Sequence, residues 1–243
     1  MDVHVRATGL SAGRLGAYLV GEGVDVAVLT GGDGGPARRF PGRLGLTASP
    51  HLRLSHLAGD ELCQQIELGA VAYILDPAGA GVALDSEWLY PGYAACQFVG
   101  VPLIVTCGAR TFPGANPTLL GGVLQDFPDL DIVLAGGGQG WPDEAAAVAL
   151  ASERVWIELS GLFLPRLRGY YAHHDWTRLT RRMIFGSGWP AVVGIARHAR
   201  AAAGQCPDDE TAGLVLAGNA ARVFHLNLPA RLSGDGRHGR CHR

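Results

Sequence analysis

The sequence predicts one α/β domain, a short (β/α)8 barrel of the TIM type, from its length, its composition and the order of its apolar runs. The 243 residues lie near the lower end of the range of about 200 to 400 residues that such barrels occupy. Hydrophobic residues make up 48% of the chain and charged residues only 17%, which suits a parallel sheet buried on both faces. Short apolar runs alternate with helical stretches, the pattern of a parallel barrel.

The apolar runs supply eight candidate strands, the number that closes such a barrel. They are Asp2–Val5, Val24–Thr30, His51–Leu57, Val71–Leu75, Leu103–Thr106, Asp131–Ala135, Val155–Leu159 and Met183–Phe185. The predicted helices are Ala12–Gly21, Asp60–Leu68, Tyr90–Phe98, Thr118–Asp126, Asp143–Ala151, Trp176–Arg181, Ala191–Ala203 and Asp208–Val223. Asp60 and Asp143 are predicted N-caps, since a short carboxylate side chain can accept from the free amides of a first turn.

Two segments lie outside this alternation. Residues 31–45 (GGDGGPARRFPGRLG) are rich in glycine, proline and arginine, so we predict neither strand nor helix there. This segment is either a loop on the active face after the second strand or the remnant of a deletion. Residues 229–243 are polar and glycine-rich, which predicts a disordered tail after a barrel at residues 1–228.

Charge and residue usage exclude several classes of function. A net charge of −2 and a pI near 6.5 predict no affinity for nucleic acid or an anionic membrane surface. The chain contains no lysine, which excludes a Schiff base and a carbamylated-lysine metal bridge. No apolar run approaches the roughly 18 residues of a membrane span. Five scattered cysteines and a strand at the start of the chain, with no secretory signal before it, lead us to expect a cytoplasmic protein.

Ordered motifs run along most of the chain. Residues 2–6 read DVHVR, residues 101–108 read VPLIVTCG, and residues 127–138 contain FPDL and IVLAGGG. They are followed by WIELSG at 156–161, MIFGSGWP at 183–190 and GNAARVF at 218–224. In this order the motifs resemble those of the amidohydrolase-related family, which includes aminocarboxymuconate-semialdehyde decarboxylase. The resemblance covers residues 1–9 and about 54–228, and it implies a barrel with hydrolase or decarboxylase ancestry.

The resemblance also implies five positions for the ligands of a catalytic metal, namely His4, Arg6, Thr106, Gly136 and Gly188. The family has histidine at the first four positions and, at the last, an aspartate that touches the metal and handles a proton. A zinc-type ion needs at least three lone pairs from imidazole, thiolate or carboxylate groups, and only His4 offers one. The fixed positive charge of Arg6 opposes a cation. We therefore expect no metal and no other cofactor.

The replaced positions leave open what occupies the active face. Arg6 either takes the place of the ion, gripping a ligand carboxylate with its guanidinium fork, or pairs with a local acid such as Asp2 or Glu158. Arg110 either closes on an anionic substrate or is an ordinary surface arginine. His4 is either a general base or a residue kept for packing.

Other residues at the strand ends have weaker claims. Thr106 faces inward in this reading and is a candidate for contact with a ligand. The thiol of Cys107 then points away from the barrel axis by strand alternation, which argues against a nucleophile. Asp76 and Glu87 are the nearest carboxylates that could act as acid or base. The simpler alternative for each is a helix cap or a solvated charge in a loop.

These observations predict a catalytically degenerate barrel that binds a small organic acid or aromatic compound, or that partners an active paralogue as a heterodimer; a homodimer is the other assembly considered. The alternative is a metal-independent hydrolase or decarboxylase acting on a small carboxylate or lactone. A gene product without selected function is a third reading. A second titratable group within hydrogen-bond reach of His4 would favour the enzyme.

Overall fold

The structure is a computed structural model that describes residues 1–6, 10–30, 39, 44–48, 58–67, 69–107 and 112–226. Its centre is one sheet of eight parallel strands in the order β1 to β8. The strands are β1 (Asp2–Arg6), β2 (Ala27–Thr30), β3 (Leu44–Ala48), β4 (Ala70–Leu75), β5 (Leu103–Thr106), β6 (Ile132–Ala135), β7 (Val155–Glu158) and β8 (Met183–Ile184). The predicted (β/α)8 barrel is confirmed.

Hydrogen bonds between β1 and the residues that follow β8 close the barrel. Val3 N donates to Phe185 O at 3.2 Å, and Arg6 N donates to Trp189 O at 2.8 Å. Val5 forms an isolated parallel bridge with Trp189. The β1–β2 register shifts between Asp2 and Val5, so β1 carries an irregularity between these two residues.

Helices and short turns connect the strands. The α-helices are α1 (Ala12–Gly21), α2 (Ala58–Glu67), α3 (Pro77–Ala80), α4 (Tyr90–Val99), α5 (Leu120–Asp126), α6 (Pro142–Ala151), α7 (Leu167–Tyr170), α8 (Trp176–Thr180), α9 (Ile195–Ala203), α10 (Asp209–Gly213) and α11 (Asn219–Val223). A π-helical segment, Leu214–Gly218, joins the last two, and 3-10 turns lie at Glu87–Leu89, Pro113–Ala115, Pro117–Leu119, Gly136–Gly138 and Leu164–Arg166. None of the helices in the described ranges is long and apolar enough to cross a membrane.

Strand alternation divides the buried apolar residues into two clusters. The larger cluster lies between the strands and the helices and includes Val5, Leu29, Val105, Ile157 and Phe185. The smaller cluster fills the barrel interior, where strand residues pack against the last helix: Val3, Val28, Ala72, Ile104, Val133, Ala135, Trp156, Ile184, Ala220, Val223 and Phe224. The interior is therefore packed at its N-terminal end, covered there by α11 and the residue after it.

One strand prediction is wrong. The third strand is Leu44–Ala48 rather than His51–Leu57, so it includes the last two residues of the segment predicted to hold neither strand nor helix. A Cβ on Gly45 would come within 2.6 Å of Val71 Cγ2, so glycine at this position permits a close approach of β4 and does not mark a loop. Residues 51–57, 31–38 and 40–43 lie outside the described part of the chain, as does the predicted tail at 229–243.

Both predicted N-caps are also wrong by a few residues. Asp60 lies inside the first turn of α2, which begins at Ala58. Asp143 lies in the first turn of α6, whose N-cap is Trp141, because Pro142 sets the first helical position. Both carboxylates still lie at the helix end where a negative charge is favourable.

Candidate functional site

The residues singled out by the motifs meet at the C-terminal ends of the strands. His4 and Arg6 end β1, Thr106 ends β5, and Gly136 and Gly188 follow β6 and β8. Because all eight strands are parallel, these ends share one face of the barrel. Gly188 N donates to His4 O at 2.9 Å, which ties the segment after β8 directly to the histidine of β1.

Glu158, at the end of β7, holds the imidazole of His4. His4 Nδ1 lies 3.2 Å from Glu158 Oε2 and 3.0 Å from Ser160 Oγ. Ser160 Oγ in turn donates to Glu158 Oε2 at 2.7 Å. An ionised carboxylate only accepts hydrogen bonds, so Nδ1 carries the proton and Nε2 is the nitrogen left for a ligand.

The backbone completes the environment of the Glu158 carboxylate. Gly136 N donates to Oε2 at 3.1 Å, and Ser160 N donates to Oε1 at 2.6 Å. With His4 and the Ser160 hydroxyl, these amides satisfy a carboxylate that is almost fully buried.

The electrostatics of the pair favour the charged forms of both groups. Burial opposes ionisation of Glu158, but the charge and hydrogen bond of His4 and the hydrogen bonds from Ser160 and Gly136 outweigh it and lower the pKa of Glu158. Burial likewise opposes protonation of His4, but the Glu158 charge and hydrogen bond outweigh it and raise the pKa of His4. The positive charge of Arg6 lowers the pKa of His4, so the Arg6 side chain lies near the same face.

A second buried carboxylate, Asp2, lies beneath this pair. Its Oδ1 accepts from His4 N at 3.1 Å and from Ser187 N at 2.9 Å, which pins β1 to the segment after β8. Its Oδ2 is buried with no hydrogen-bond partner among the described residues. Burial raises the pKa of Asp2 to about 6, against the hydrogen bonds from Ser187 and His4 that lower it.

Two glycines after β8 make room for this arrangement. A Cβ on Gly186 would clash with Glu158 Oε1, and it would lie 3.0 Å from His4 Cβ. Gly188 has a φ of +69°, and a Cβ there would lie 3.2 Å from Ser160 Cβ. An aspartate at position 188 would therefore meet both an unfavourable backbone conformation and Ser160.

The donor set does not fit a catalytic metal. Of the five positions that the resemblance assigns to metal ligands, only His4 has a lone pair suited to a zinc-type ion, on Nε2, whereas such a site needs at least three ligands. Thr106 Oγ1 donates to Leu75 O at 3.3 Å, and Gly136 contributes only its backbone amide to Glu158. Within the described ranges, no group of three or more His, Cys, Asp or Glu side chains could hold a metal ion.

Arg6 is exposed and is not paired with either acid considered as its partner. The described contacts of Asp2 are to the backbone of His4 and Ser187, and Glu158 serves His4, Ser160 and Gly136. Of the local acids considered, neither Asp2 nor Glu158 is therefore the partner of Arg6. Arg110 lies outside the described residues.

The minor candidates take structural positions. Cys107 is buried in the layer between strands and helices, and burial raises the pKa of its thiol to about 12, which leaves no reactive thiolate. Asp76 is the N-cap of α3 and accepts from Gly79 N at 3.1 Å. Glu87 begins a 3-10 turn on the surface.

Three residues of this face, Glu158, Ser160 and Gln139, are not among the site residues that the sequence predicts. Glu158 was considered only as a partner for Arg6, and Ser160 was not considered, although alternation from the inward-facing Trp156 places both on the interior side of β7. Gln139 is exposed, and its Oε1 lies 3.6 Å from the position that a Cβ would take on Gly136. No sequence signal distinguishes Gln139, because its position depends on the turn at Gly136–Gly138.

Comparisons with known proteins agree with the motifs. A family model described as amidohydrolase matches residues 37–226. None of the curated proteins compared matches the chain.

Solved structures share the barrel. An uncharacterised TIM-barrel protein from Bordetella bronchiseptica is 22% identical, with a TM-score of 0.72 over 89% of this chain and 83% of its own. The 5-carboxyvanillate decarboxylase of Sphingomonas paucimobilis is 16% identical, with a TM-score of 0.67 over 90% of this chain and 84% of its own. The dihydroxybenzoic acid decarboxylase of Polaromonas sp. JS666, solved with manganese and the inhibitor 2-nitroresorcinol, is 15% identical, with a TM-score of 0.70 over 91% of this chain and 88% of its own. At these identities the likeness shows the fold.

Proposed function

Because the chain belongs to the amidohydrolase family, whose metal ligands its described residues do not supply, we propose that it binds a small organic acid or aromatic compound without a metal. The binding site is the C-terminal face of the barrel, around His4 and Arg6. The observation that carries this proposal is the His4–Glu158 pair, in which a carboxylate holds the one remaining imidazole at a position where the family has a metal ligand.

The charges of this face support an anionic ligand. His4 and Glu158 largely cancel each other when both are ionised, and Arg6 is exposed on the same face and forms no ion pair with an acid among the described residues. A guanidinium can bind a carboxylate through two parallel hydrogen bonds, which also fixes its orientation. Thr106 and Gln139 lie at the ends of β5 and after β6, where they can contact the rest of the ligand. Solved relatives of the same fold are named for acting on aromatic acids, which suggests the ligand class.

Thermal denaturation with a panel of acids tests the proposal. Benzoate, 2-hydroxybenzoate and succinate should be titrated against wild type, Arg6→Ala, Arg6→Lys and Arg200→Ala, the last being an exposed arginine on α9 as matched control. At a hundred times the dissociation constant, a ligand should stabilise wild type and Arg200→Ala by about 2.7 kcal/mol. Arg6→Ala should abolish the effect, and Arg6→Lys should weaken it through loss of the fork. Equal stabilisation of wild type and Arg6→Ala would contradict the proposal.

A second candidate is a metal-independent hydrolase or decarboxylase, and the distance of 3.2 Å between His4 and Glu158 favours it. A carboxylate that holds Nδ1–H orients the ring and stabilises its positive charge, as a general base requires. In lactone hydrolysis, Nε2 would take a proton from water while the water oxygen attacks the carbonyl. The imidazolium would then return that proton to the departing alkoxide. The absence of a carboxylate at Gly188 weighs against this candidate, because metal-free relatives are expected to keep one.

The pH dependence of turnover separates the two candidates. If His4 is a base, the rate rises as pH passes upward through its raised pKa, and His4→Ala removes the activity with the fold intact. In Glu158→Gln the pKa of His4 falls, so the acid limb of the profile should move to lower pH. If lactones and aromatic acids are not turned over and ligand binding depends on Arg6, the protein is a binder and not an enzyme.

We also expect the protein to assemble with a second copy or with an active paralogue. Size-exclusion chromatography with light scattering measures this assembly.

A further inference from the structure

A depression lies at the N-terminal end of the barrel, opposite the face that carries His4. Its volume is about 380 Å³, within the range of about 300 to 1,000 Å³ that small-ligand sites occupy. It is lined by Asp131, Glu153, Arg154, Trp156, Arg182, Arg222, Val223 and His225. Three guanidinium groups therefore converge on one site that the function proposed above does not use.

Two of the arginines lie against the ring of Trp156. The guanidinium carbon of Arg222 is 4.5 Å from the ring centroid, and that of Arg182 is 5.2 Å from it. Trp156 itself is almost fully buried, and its Nε1 donates to Asp131 Oδ1 at 3.1 Å. The ring is thus fixed by the barrel interior and positions both guanidinium groups through cation–π contact.

The carboxylates of the depression are largely used by other partners. Asp131 accepts from Trp156 at Oδ1 and from Arg154 at Oδ2, and Arg154 also donates to Asp129 at 3.0 Å. Arg154 is therefore neutralised.

Arg182 and Arg222 keep most of their positive charge available. Arg182 Nη1 donates to Glu153 O at 2.9 Å, which leaves its charge uncancelled, and the 94% exposed Glu153 side chain reaches Nη2 only at 3.7 Å, so water screens this ion pair. Arg222 is exposed, and no described carboxylate pairs with it. Burial lowers the pKa of Arg182, and the neighbouring charge of Arg222 lowers it further, against Glu153 and Asp131, which raise it. An anion placed between the two guanidinium groups would relieve this repulsion.

We propose that this depression binds a phosphate group, either inorganic phosphate or the phosphate of a small phosphomonoester, between Arg182 and Arg222. The planar fork of a guanidinium matches two oxygens of a phosphate, and two guanidinium groups that line the same depression can share one dianion. The volume leaves room for a small organic group attached to the phosphate. His225, an exposed residue that also lines the depression, adds a further N–H donor.

Isothermal titration with inorganic phosphate and with glycerol phosphate tests this site. Wild type should bind at least one of them. Arg222→Gln should lower the affinity at least tenfold, Arg222→Lys should lower it less, and Arg168→Gln, an exposed arginine on α7, should leave it unchanged. Tighter binding of glycerol phosphate would identify a phosphomonoester as the ligand, and binding of inorganic phosphate alone would identify the free ion. Thermal melting of each variant without ligand shows whether it is folded, and Arg222→Gln, on an exposed side chain, should melt near wild type.

A separate pair of measurements distinguishes this site from the opposite face. Phosphate binding should persist in Arg6→Ala, and benzoate should not compete with it, since the two sites lie at opposite ends of the barrel. The proposal is overturned if phosphate binds wild type and Arg222→Gln equally, if Arg6→Ala abolishes the binding, or if succinate displaces phosphate from the Arg222 site at equal concentration. Absence of phosphate binding by wild type also overturns it, whatever the outcome for organic acids at His4.

Discussion

At the scale of single residues, the barrel contains two buried carboxylates whose environments shift their pKa values in opposite directions. Glu158 receives hydrogen bonds from His4, Ser160 and Gly136, and its pKa is lowered. Asp2 has one oxygen without a described partner, and burial raises its pKa to about 6. Similar burial therefore leads to an ionised group in one case and, below about pH 6, to a protonated group in the other.

Asp2 should make the fold less stable as pH rises. Its folded pKa of about 6 exceeds the ordinary value of 3.8, so its contribution is fully present below 3.8 and is lost as pH rises through 6. Asn at this position cannot titrate, so the free energy of unfolding of Asp2→Asn minus that of wild type should increase between pH 4 and pH 7. The difference between the folded and the ordinary pKa of Asp2 corresponds to an increase of about 3 kcal/mol in this free-energy difference. Urea unfolding across this pH range measures it, and a difference that does not vary with pH would contradict it.

Glu158 contributes to the wild-type curve with the opposite sign. Its pKa is lowered, so its contribution is present above its ordinary pKa and is lost as pH falls through the folded value. Both proteins contain Glu158, so its contribution cancels when the free energy of unfolding of wild type is subtracted from that of Asp2→Asn at each pH.

Gly186→Ala should destabilise the barrel by about 1 to 3 kcal/mol, because the added methyl would clash with Glu158 Oε1 and press on His4 Cβ. Gly122→Ala is the matched control, since this glycine is exposed in α5 and a Cβ there would meet nothing within 4 Å. The control should gain about 0.5 to 1 kcal/mol from helix propensity. Chemical denaturation of both variants measures the difference, and equal stability of the two would show that β8 can move away from Glu158 at no cost.

Single residues also show where prediction from the sequence stopped. His4 and Gly188 could be found because they stand in motifs with a fixed spacing. Glu158 and Ser160 stand in a motif too, but their role depends on a hydrogen bond to His4 across 154 and 156 residues of sequence. Such pairings follow from barrel closure and leave no local pattern.

At the scale of elements, the strands set by local alternation were predictable, and those set by their neighbours were not. Leu103–Thr106 and Ala12–Gly21 have the predicted bounds because an apolar run or an amphipathic stretch ends at a clear break. The position of β3 was not predictable because Gly45 resembles a loop residue, whereas in the sheet Val71 occupies the space where a Cβ would lie.

A substitution in the segment after β8 tests whether the family's aspartate can be accommodated at position 188. Gly188→Asp should not restore metal binding, because the backbone is in the left-handed region and Ser160 occupies the space beside it. Gly81→Asp is the control for the backbone alone, since Gly81 has a φ of +67° with no atom within 4 Å of its Cβ position. Gly188→Asp should be less stable than Gly81→Asp by about 1 kcal/mol or more. One equivalent of zinc or manganese bound by Gly188→Asp would show instead that the site lacks a single ligand.

At the scale of the whole molecule, the fold is that of the amidohydrolase family, and the described residues do not supply the metal ligands that the motifs imply for it. Protein purified without an affinity tag from metal-supplemented medium should contain well under one equivalent of zinc, manganese or iron by mass spectrometry. A chelator should leave its melting temperature unchanged, because none of the described groups links a metal ion to the fold. A stoichiometric metal that chelation removes, with a fall in melting temperature, would contradict the metal-free proposal.

The hydrogen bonds that close the ring between β1 and the segment after β8 also set an order of events on the ribosome. β1 leaves the ribosome before the residues to which it is bonded, since Phe185, Ser187 and Gly188 follow it by about 180 residues in the chain. At about 5 to 20 residues per second, β1 waits roughly 10 to 40 s for its last neighbour. During that interval it is an open strand edge that can pair with other nascent chains. Asp2, His4 and Arg6, which belong to the site in the folded barrel, are polar, and they therefore also disfavour pairing of the unpaired β1 edge with other chains.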